Sequence, residues 1–325
     1  MIPFSPFMRA DETEPPRWNR LSDYFLQQYG ARVWKIPLDA GFSCPNRDGR
    51  LSHSGCVFCN PAGAGTRLGL GGLGLAEQWR IRCQGPRIRG LTHFIAYLQS
   101  FSNTYGPIEK LAKTLNDLAD LPGCIGLAVG TRPDCVDEGK LALIAAFCRE
   151  RQWPEVWVEY GVQSANNATL ARINRGHDRD CAERAIATAA AAGLKVCVHL
   201  MAALPSEGAS DLEASAQWLS KQPVQGVKFH CLYVCKGSDL EAAHACGDYR
   251  PWTQKRYIAA LAGALPHVRS DIVIQRLAGD PAPGELVAPE WCARSRETTN
   301  GLLAELKRQD TWQGKLWPAG LPEPI

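Results

Sequence analysis

Apolar residues along this chain follow two alternating rhythms. Dense apolar runs begin at Val33, His93, Cys124, Glu155, Lys195 and Gly226. Between them, apolar positions recur every three or four residues. Arg20 to Tyr29 places Leu21, Tyr24, Phe25 and Tyr29 on one face. Pro107 opens a segment with Ile108, Leu111, Leu115 and Leu118 aligned, and Asp137 to Glu150 aligns Leu141, Ile144, Ala145 and Cys148. Arg179 to Ala192 is alanine-rich and stops at Gly193, while Ser210-Asp-Leu-Glu213 has the form of a capping box. Short dense runs read as strands and 3.6-residue periods as helices. Single helices between strands make βα units on a parallel sheet. Six such units suit a partial (β/α)6 barrel of the TIM type or a doubly wound sheet, and periodicity leaves both open.

The rhythm breaks near Gly237. A helix is expected over 253–265, a strand over 272–277 and a helix over 290–308. Residues 237–325 are therefore expected to form a C-terminal α/β extension covering the βα units of residues 18–236, whether these close into a barrel or not. Residues 1–17, with Pro3, Pro6, Pro15 and Pro16, read as a loose leader.

Composition narrows the class. The chain has 325 residues, 45% hydrophobic, enough for a substantial core. A net charge of +3 is too weak by itself to imply nucleic acid. Thirteen cysteines, an odd count clustered only at the front, argue against a disulfide framework and suit a reducing cytoplasm. No run approaches the ~20 apolar residues of a membrane span. The short apolar start runs into Asp11, Glu12 and Glu14, unlike a signal peptide.

Candidate chemistry centres on Cys44, Cys56 and Cys59, spaced C-x11-C-x2-C in a loop after the strand at Val33. Closely spaced thiolates favour zinc or an iron–sulfur cluster, and three of them leave one coordination position open. His53 would complete a Cys3His zinc set, and plain packing is the third reading. The glycine-rich stretch 63–74 lacks the Gly-Lys-Ser/Thr of a P-loop and the strand of a dinucleotide fingerprint, so it reads as a loop.

In a barrel, the C-terminal strand ends face the site. Ser102, Asn103 and Thr104 follow the second strand, as cofactor contacts or as turn formers. Arg132 follows the third as an anion clamp, with Asp134 to hold it; Asp134 or Asp137 would otherwise cap a helix. The fourth strand carries Glu159 and Gln163, and a buried Glu159 needs a partner. Arg175 and His177 come next, facing the site or bracing their loop. His199 and His230 are expected as core residues, and Cys231 and Cys235 as packing.

The cysteine loop resembles that of radical S-adenosylmethionine (SAM) enzymes, whose common spacing is C-x3-C-x2-C. The wider gap with an aromatic at Phe58 resembles the branch that includes the Elongator catalytic subunit. Leu38-Asp-Ala-Gly-Phe-Ser-Cys-Pro-Asn-Arg-Asp-Gly49 and Gly55-Cys-Val-Phe-Cys-Asn60 are similar to the bacterial YhcC/YtqA-like radical proteins, and the likeness runs from about Trp18 to Lys315. Gly130-Thr-Arg-Pro-Asp134, Glu159-Tyr-Gly-Val-Gln-Ser164 and Asn174-Arg-Gly-His177 also resemble family elements; Ala203 departs from the pattern, standing where the family has glycine.

The resemblance implies the partial barrel and a [4Fe–4S] cluster held by the three cysteines. It also implies SAM chelated at the fourth iron and cleaved reductively to a 5′-deoxyadenosyl radical. Phe58, Ser102, Asn103, Thr104, Glu159 and Gln163 become cofactor contacts, with Glu159 on the ribose. Arg132, Asp134, Arg175 and His177 become catalytic candidates. Flavodoxin or ferredoxin is the expected reductant, and tRNA, at the C5 substituent of a wobble uridine, the expected substrate. Arg80, Arg82, Arg87 and Arg89, with Arg172, Arg175, His177 and Arg179, would meet phosphates, and Trp79 and Trp153 would stack on bases. The alternatives are a small metabolite or protein substrate, or a Cys3His zinc module contacting RNA. Oligomeric state stays open.

Overall fold

The computed structural model describes residues 14–60, 63 and 72–318. Most of the expected leader and of the glycine-rich loop lies outside these. Six strands fall where the apolar runs begin: β1 (Val33–Leu38), β2 (His93–Leu98), β3 (Cys124–Thr131), β4 (Glu155–Gln163), β5 (Lys195–Ala202) and β6 (Gly226–Cys231). They pair in chain order, all parallel. A two-residue strand, β7 (Val234–Cys235), then leaves the sheet. A further strand, β8 (Val273–Arg276), joins β6 in parallel as the seventh member, and β9 (Leu286–Ala288) pairs antiparallel with β7. The segment after Gly237 is thus more than a cover, since it completes the sheet.

The helices are α1 (Leu21–Tyr29), α2 (Leu75–Cys83), α3 (Ile108–Asn116), α4 (Glu138–Glu150), α5 (Asn167–Arg172), α6 (Arg179–Ala191), α7 (Ala209–Ser220), α8 (Asp239–Ala245), α9 (Gln254–Ala264) and α10 (Ser295–Arg308). Their caps follow the sequence closely. Asp137 and Asp178 each accept from the first turn of α4 and α6. The expected box at Ser210–Glu213 is displaced: Gly208 N–H donates to Asp211 at 2.8 Å, so α7 starts earlier. On the sheet's outer face, Val158, Tyr160 and Val162 of β4 join the main core with Ala182, Ala185, Ile186 and Ala189 of α6.

The sheet curls strongly. Lys35 on β1 donates to Gln275 on β8 at 2.7 Å, although these are the two edge strands of the sheet. Seven flat strands would hold their edges roughly 29 Å apart at the usual inter-strand spacing. The result is an open barrel with its own interior. Phe25, Ile95, Tyr97, Ala128, Trp157 and Cys197 form a separate buried cluster there.

Helix α1 closes the end where the strands begin. Fully buried Glu155 accepts from Tyr24 (2.8 Å), Tyr29 (2.7 Å), Lys195 (2.9 Å) and Trp157 (2.6 Å). Two of these four donors come from α1, so this carboxylate fastens the plug to β4 and β5. Glu155→Ala strands buried donors and should cost about 3–5 kcal/mol. Tyr29→Phe, which removes one donor, should cost about 1.5–3 kcal/mol. Urea unfolding of both variants measures the contrast.

Candidate active site

The cysteine loop leaves β1 through a clamp: Gln78 of α2 accepts from Asp39 N–H and donates to Asp39 C=O, both at 2.8 Å. Tight turns follow. Arg47 N–H meets Cys44 C=O at 2.8 Å, and Cys59 N–H meets Cys56 C=O at 2.9 Å. Gly55 is a position only glycine suits, with φ +84° and the Arg47 guanidinium 2.9 Å from where a Cβ would stand. That guanidinium reaches on to Cys59 C=O at 2.6 Å.

A second segment latches the loop. Asn46 donates to Asn174 C=O at 2.6 Å, and Asn174, itself at φ +54°, donates to Gly55 C=O at 2.6 Å. Arg175 binds Gly161 C=O through Nε at 3.0 Å and places Nη1 3.4 Å from Cys56 Sγ. Arg132 makes a bidentate pair with Asp134, both bonds 2.8 Å, and donates to Arg175 C=O at 2.7 Å. Its Nη1 lies 4.0 Å from Cys44 Sγ. Two guanidiniums therefore face two of the three sulfurs. Burial pushes the Cys59 thiol up, and Arg47 opposes that.

All three cysteines border one cavity of about 240 Å³ at the C-terminal strand ends. Among the described residues, the three sulfurs and His53 do not gather within 4.8 Å of one another. Ligands of one zinc ion would lie about 3.8 Å apart. His53 instead lies exposed over Gly49. The donor set suits a body larger than one ion: three separated sulfurs, a cavity in front and cations behind.

The other expected residues divide. Phe58, Ser102, Arg132, Glu159, Gln163 and Arg175 line the cavity. The Ser102 hydroxyl is buried beside the Cys135 thiol, with no nitrogen or oxygen partner among the described residues. Asn103 and Thr104 face away. Asn103 donates to Leu98 and Gly130 carbonyls (3.1 and 2.8 Å), and Thr104 to Cys135 C=O (2.7 Å), so both brace the turn between strand ends. Asp134 acts only through Arg132. His177 sits behind Arg175, off the cavity wall, where burial and then Arg175 push it down to about 3.

The ribose role expected for Glu159 does not fit its surroundings. Both carboxylate oxygens are held inside the protein: Oε1 by Lys35 at 2.7 Å, Oε2 by Lys228 and by His199 at 3.0 Å. Burial alone would push this carboxyl up, but Lys228, Lys35 and His199 hold it well below the usual carboxylate range. Glu159, Cys197 and His199 come within 4.8 Å of one another. The two ammonium groups already neutralise that carboxylate, so a metal cation is disfavoured there.

The floor was hidden in strands that read as apolar. His199 and His230, expected as core, line the cavity with Lys228, Tyr97 and Arg276. Their signal was position: Lys35, Glu159, His199 and Lys228 fall on the inward, period-two face. Cys235 accepts from Asn60 at 3.3 Å and Cys231 approaches Leu232 C=O at 3.3 Å, both as buried packing. Arg80 to Arg89 precede β2 and so lie at the barrel end opposite the cavity; Trp79 is core, and Trp153 packs edge-on to Phe147.

A family model described as the radical SAM superfamily matches residues 49–219, and one described as the radical SAM C-terminal domain matches 224–308. The chain belongs to the radical SAM superfamily. Its relatives include YtqA of Bacillus subtilis, 30% identical over 308 residues and 93% of each chain. YhcC of Escherichia coli is 34% identical over 84% of this chain and 87% of its own. A tRNA uridine(34) acetyltransferase of Dehalococcoides mccartyi matches at 29% over 52% of this chain, which spans 37% of it. Among solved structures, Methanocaldococcus infernus Elp3 shares the fold with TM-score 0.68 at 16% identity, covering 86% of this chain and 64% of that one. This radical SAM chain has, among its described residues, no helix long and apolar enough to cross a membrane.

Its floor predicts a pH response. Burial pushes His199 down to about 4 and His230 well below an ordinary histidine, so both are neutral when folded at pH 7. Unfolded histidine titrates near 6.5. Below that pH the unfolded chain binds more protons than the folded one, so stability falls as the pH is lowered. Relative to wild type, His230→Gln should lose less stability, by up to about 1.4 kcal/mol per pH unit below 6.5. Urea midpoints at pH 7 and pH 5 give the comparison.

Proposed function

We propose that this radical SAM enzyme holds a [4Fe–4S] cluster on Cys44, Cys56 and Cys59, binds SAM beside it and remodels the C5 substituent of a wobble uridine in tRNA. The observation that carries the cluster assignment is the convergence of three sulfurs on one cavity, two of them faced by Arg132 and Arg175. When bound, cluster and SAM supply one-electron cleavage and a 5′-deoxyadenosyl radical that takes a hydrogen atom from the substrate.

The chain's own residues prepare that chemistry. Arg175 and Arg132 orient the cysteine loop and offset its negative charge. The Ser102 hydroxyl offers an acceptor to the ammonium of the methionine moiety, a task Asn103 and Thr104 do not share. Phe58 and Gln163 form wall for the nucleoside. Glu159 serves the floor, as an anchor for cations. An electron donor of the flavodoxin or ferredoxin type is required.

Support for tRNA comes from the partial likeness to tRNA uridine(34) acetyltransferases and from the surface. A second cleft, of about 260 Å³, is lined by Arg172, Arg250 and Arg256, with Arg256 over the Trp252 ring at 4.3 Å; Glu207 and Asp248 also line it. Exposed arginines on the cavity's side of the barrel suit a phosphate backbone.

Anaerobic reconstitution should load about four irons per chain. Cys44→Ala, Cys56→Ala or Cys59→Ala should each abolish the brown chromophore, and His53→Ala should keep it. A colourless protein with one zinc dependent on His53 would refute the cluster. For the substrate, deleting the gene in its host should make one C5-substituted uridine accumulate in bulk tRNA, seen by mass spectrometry. Wild type should reverse this and Cys59→Ala should not. An unchanged nucleoside profile retires tRNA.

A further inference from the structure

The cavity wall carries five cationic side chains, Arg47, Arg132, Arg175, Lys228 and Arg276, against two carboxylates, Glu159 and Asp280, among the described residues. Four of the five are engaged. Arg47 donates to Cys59 C=O, Arg132 to Asp134, Arg175 to Gly161 C=O and Lys228 to Glu159. Arg276, on β8, has no hydrogen bond or ion pair among the described residues, although its side chain lines the cavity. Of the two carboxylates, Glu159 is taken up by Lys35, Lys228 and His199, and Asp280 makes no ion pair with Arg276 among the described residues. His230 Nε2 is buried without a partner, and Lys35 adds a further cation against Glu159. An unpaired guanidinium beside Lys228 in a recess is costly unless something anionic enters.

We propose that this floor receives a carboxylate carried by the reacting group of the substrate, with Arg276 gripping it and the His230 ring adding a hydrogen bond. The planar fork of arginine matches a carboxylate bidentately. The shape of the recess decides against backbone phosphate. Its floor is backed by the buried Trp157, Ile95 and Phe25, so a terminal group can reach Arg276, whereas a phosphodiester carries chain on both sides. The choice of a uridine as the carrier rests on the function proposed above; the carboxylate receptor itself does not.

The test uses the reconstituted protein under anaerobic conditions and calorimetric titration. The probes are 5-carboxymethyluridine, its amide 5-carbamoylmethyluridine, succinate and inorganic phosphate. The carboxylate nucleoside should bind at least about tenfold tighter than the amide, because the site otherwise keeps an unpaired cation. Arg276→Gln should erase that preference and Arg276→Lys should restore part of it, with unchanged iron content and thermal midpoint as the check on folding. Equal binding of the two nucleosides, or a preference that survives Arg276→Gln, overturns the receptor and leaves the uridine reading standing. Succinate binding that needs Arg276, with neither nucleoside bound, upholds the receptor and removes uridine. Displacement by equimolar phosphate overturns the carboxylate assignment, and no binding by any probe overturns both.

Discussion

The buried carboxylate of Glu159 is the constraint on which the barrel interior depends. It sits on the central strand β4, with Lys35 from one edge, His199 and Lys228 from the other side, and Gln275 of the last strand tied in through Lys35. None of these groups tolerates burial alone, because desolvating an unpaired charge costs several kcal/mol. Each is satisfied only when the sheet curls far enough to bring its edges together. The polar cluster thus specifies curvature, where apolar packing on the outer face would accept a flatter sheet.

Below that layer, Glu155 repeats the device with tyrosines from α1, and apolar Trp157, Ile95 and Phe25 fill the space between. Above it, β3 and β4 each give up an inward side chain. Gly130 and Gly161 stand where β3 and β4 reach the cavity, and a Cβ on Gly161 would meet the Arg175 guanidinium at 2.8 Å. The barrel is therefore filled at one end, charged at mid-height and hollow at the other. Packing, electrostatics and chemistry are stacked along one axis.

The cysteine loop has little apolar content of its own, and hydrogen bonds from distant segments shape it. Arg132 and Arg175 each connect a strand end to a cysteine sulfur, so the sulfurs inherit the rigidity of β3 and β4. Burying two guanidiniums there is tolerable because Asp134, backbone carbonyls and cysteine sulfurs share their donors. The C-terminal segment also takes part in the site. It supplies β8, and with it Arg276 on the cavity floor.

Local pattern alone determined a good deal: six strands, the caps at Asp137 and Asp178, the loop that carries the cysteines, and the family. These depend on residues adjacent in sequence, where period and spacing carry the information. The pattern also marked Arg132, Glu159 and Arg175 as worth explaining and paired Arg132 with Asp134, but it did not show what surrounds the other two. Glu159 read as a ligand for ribose because its cations, Lys35 and Lys228, lie more than a hundred and more than sixty residues away. Arg175 read as a surface phosphate contact, and Arg80 to Arg89 as another, because charge runs in a sequence do not say which end of a barrel they face. Ser102, Asn103 and Thr104 read as equivalent, and only the backbone between strand ends separated one cavity hydroxyl from two braces. Arg276 was invisible, a polar residue in a short strand of the extension. Its meaning came only when the sheet closed and set it, without a partner of its own, beside Lys228, because burial and pairing of charge are properties of the folded chain.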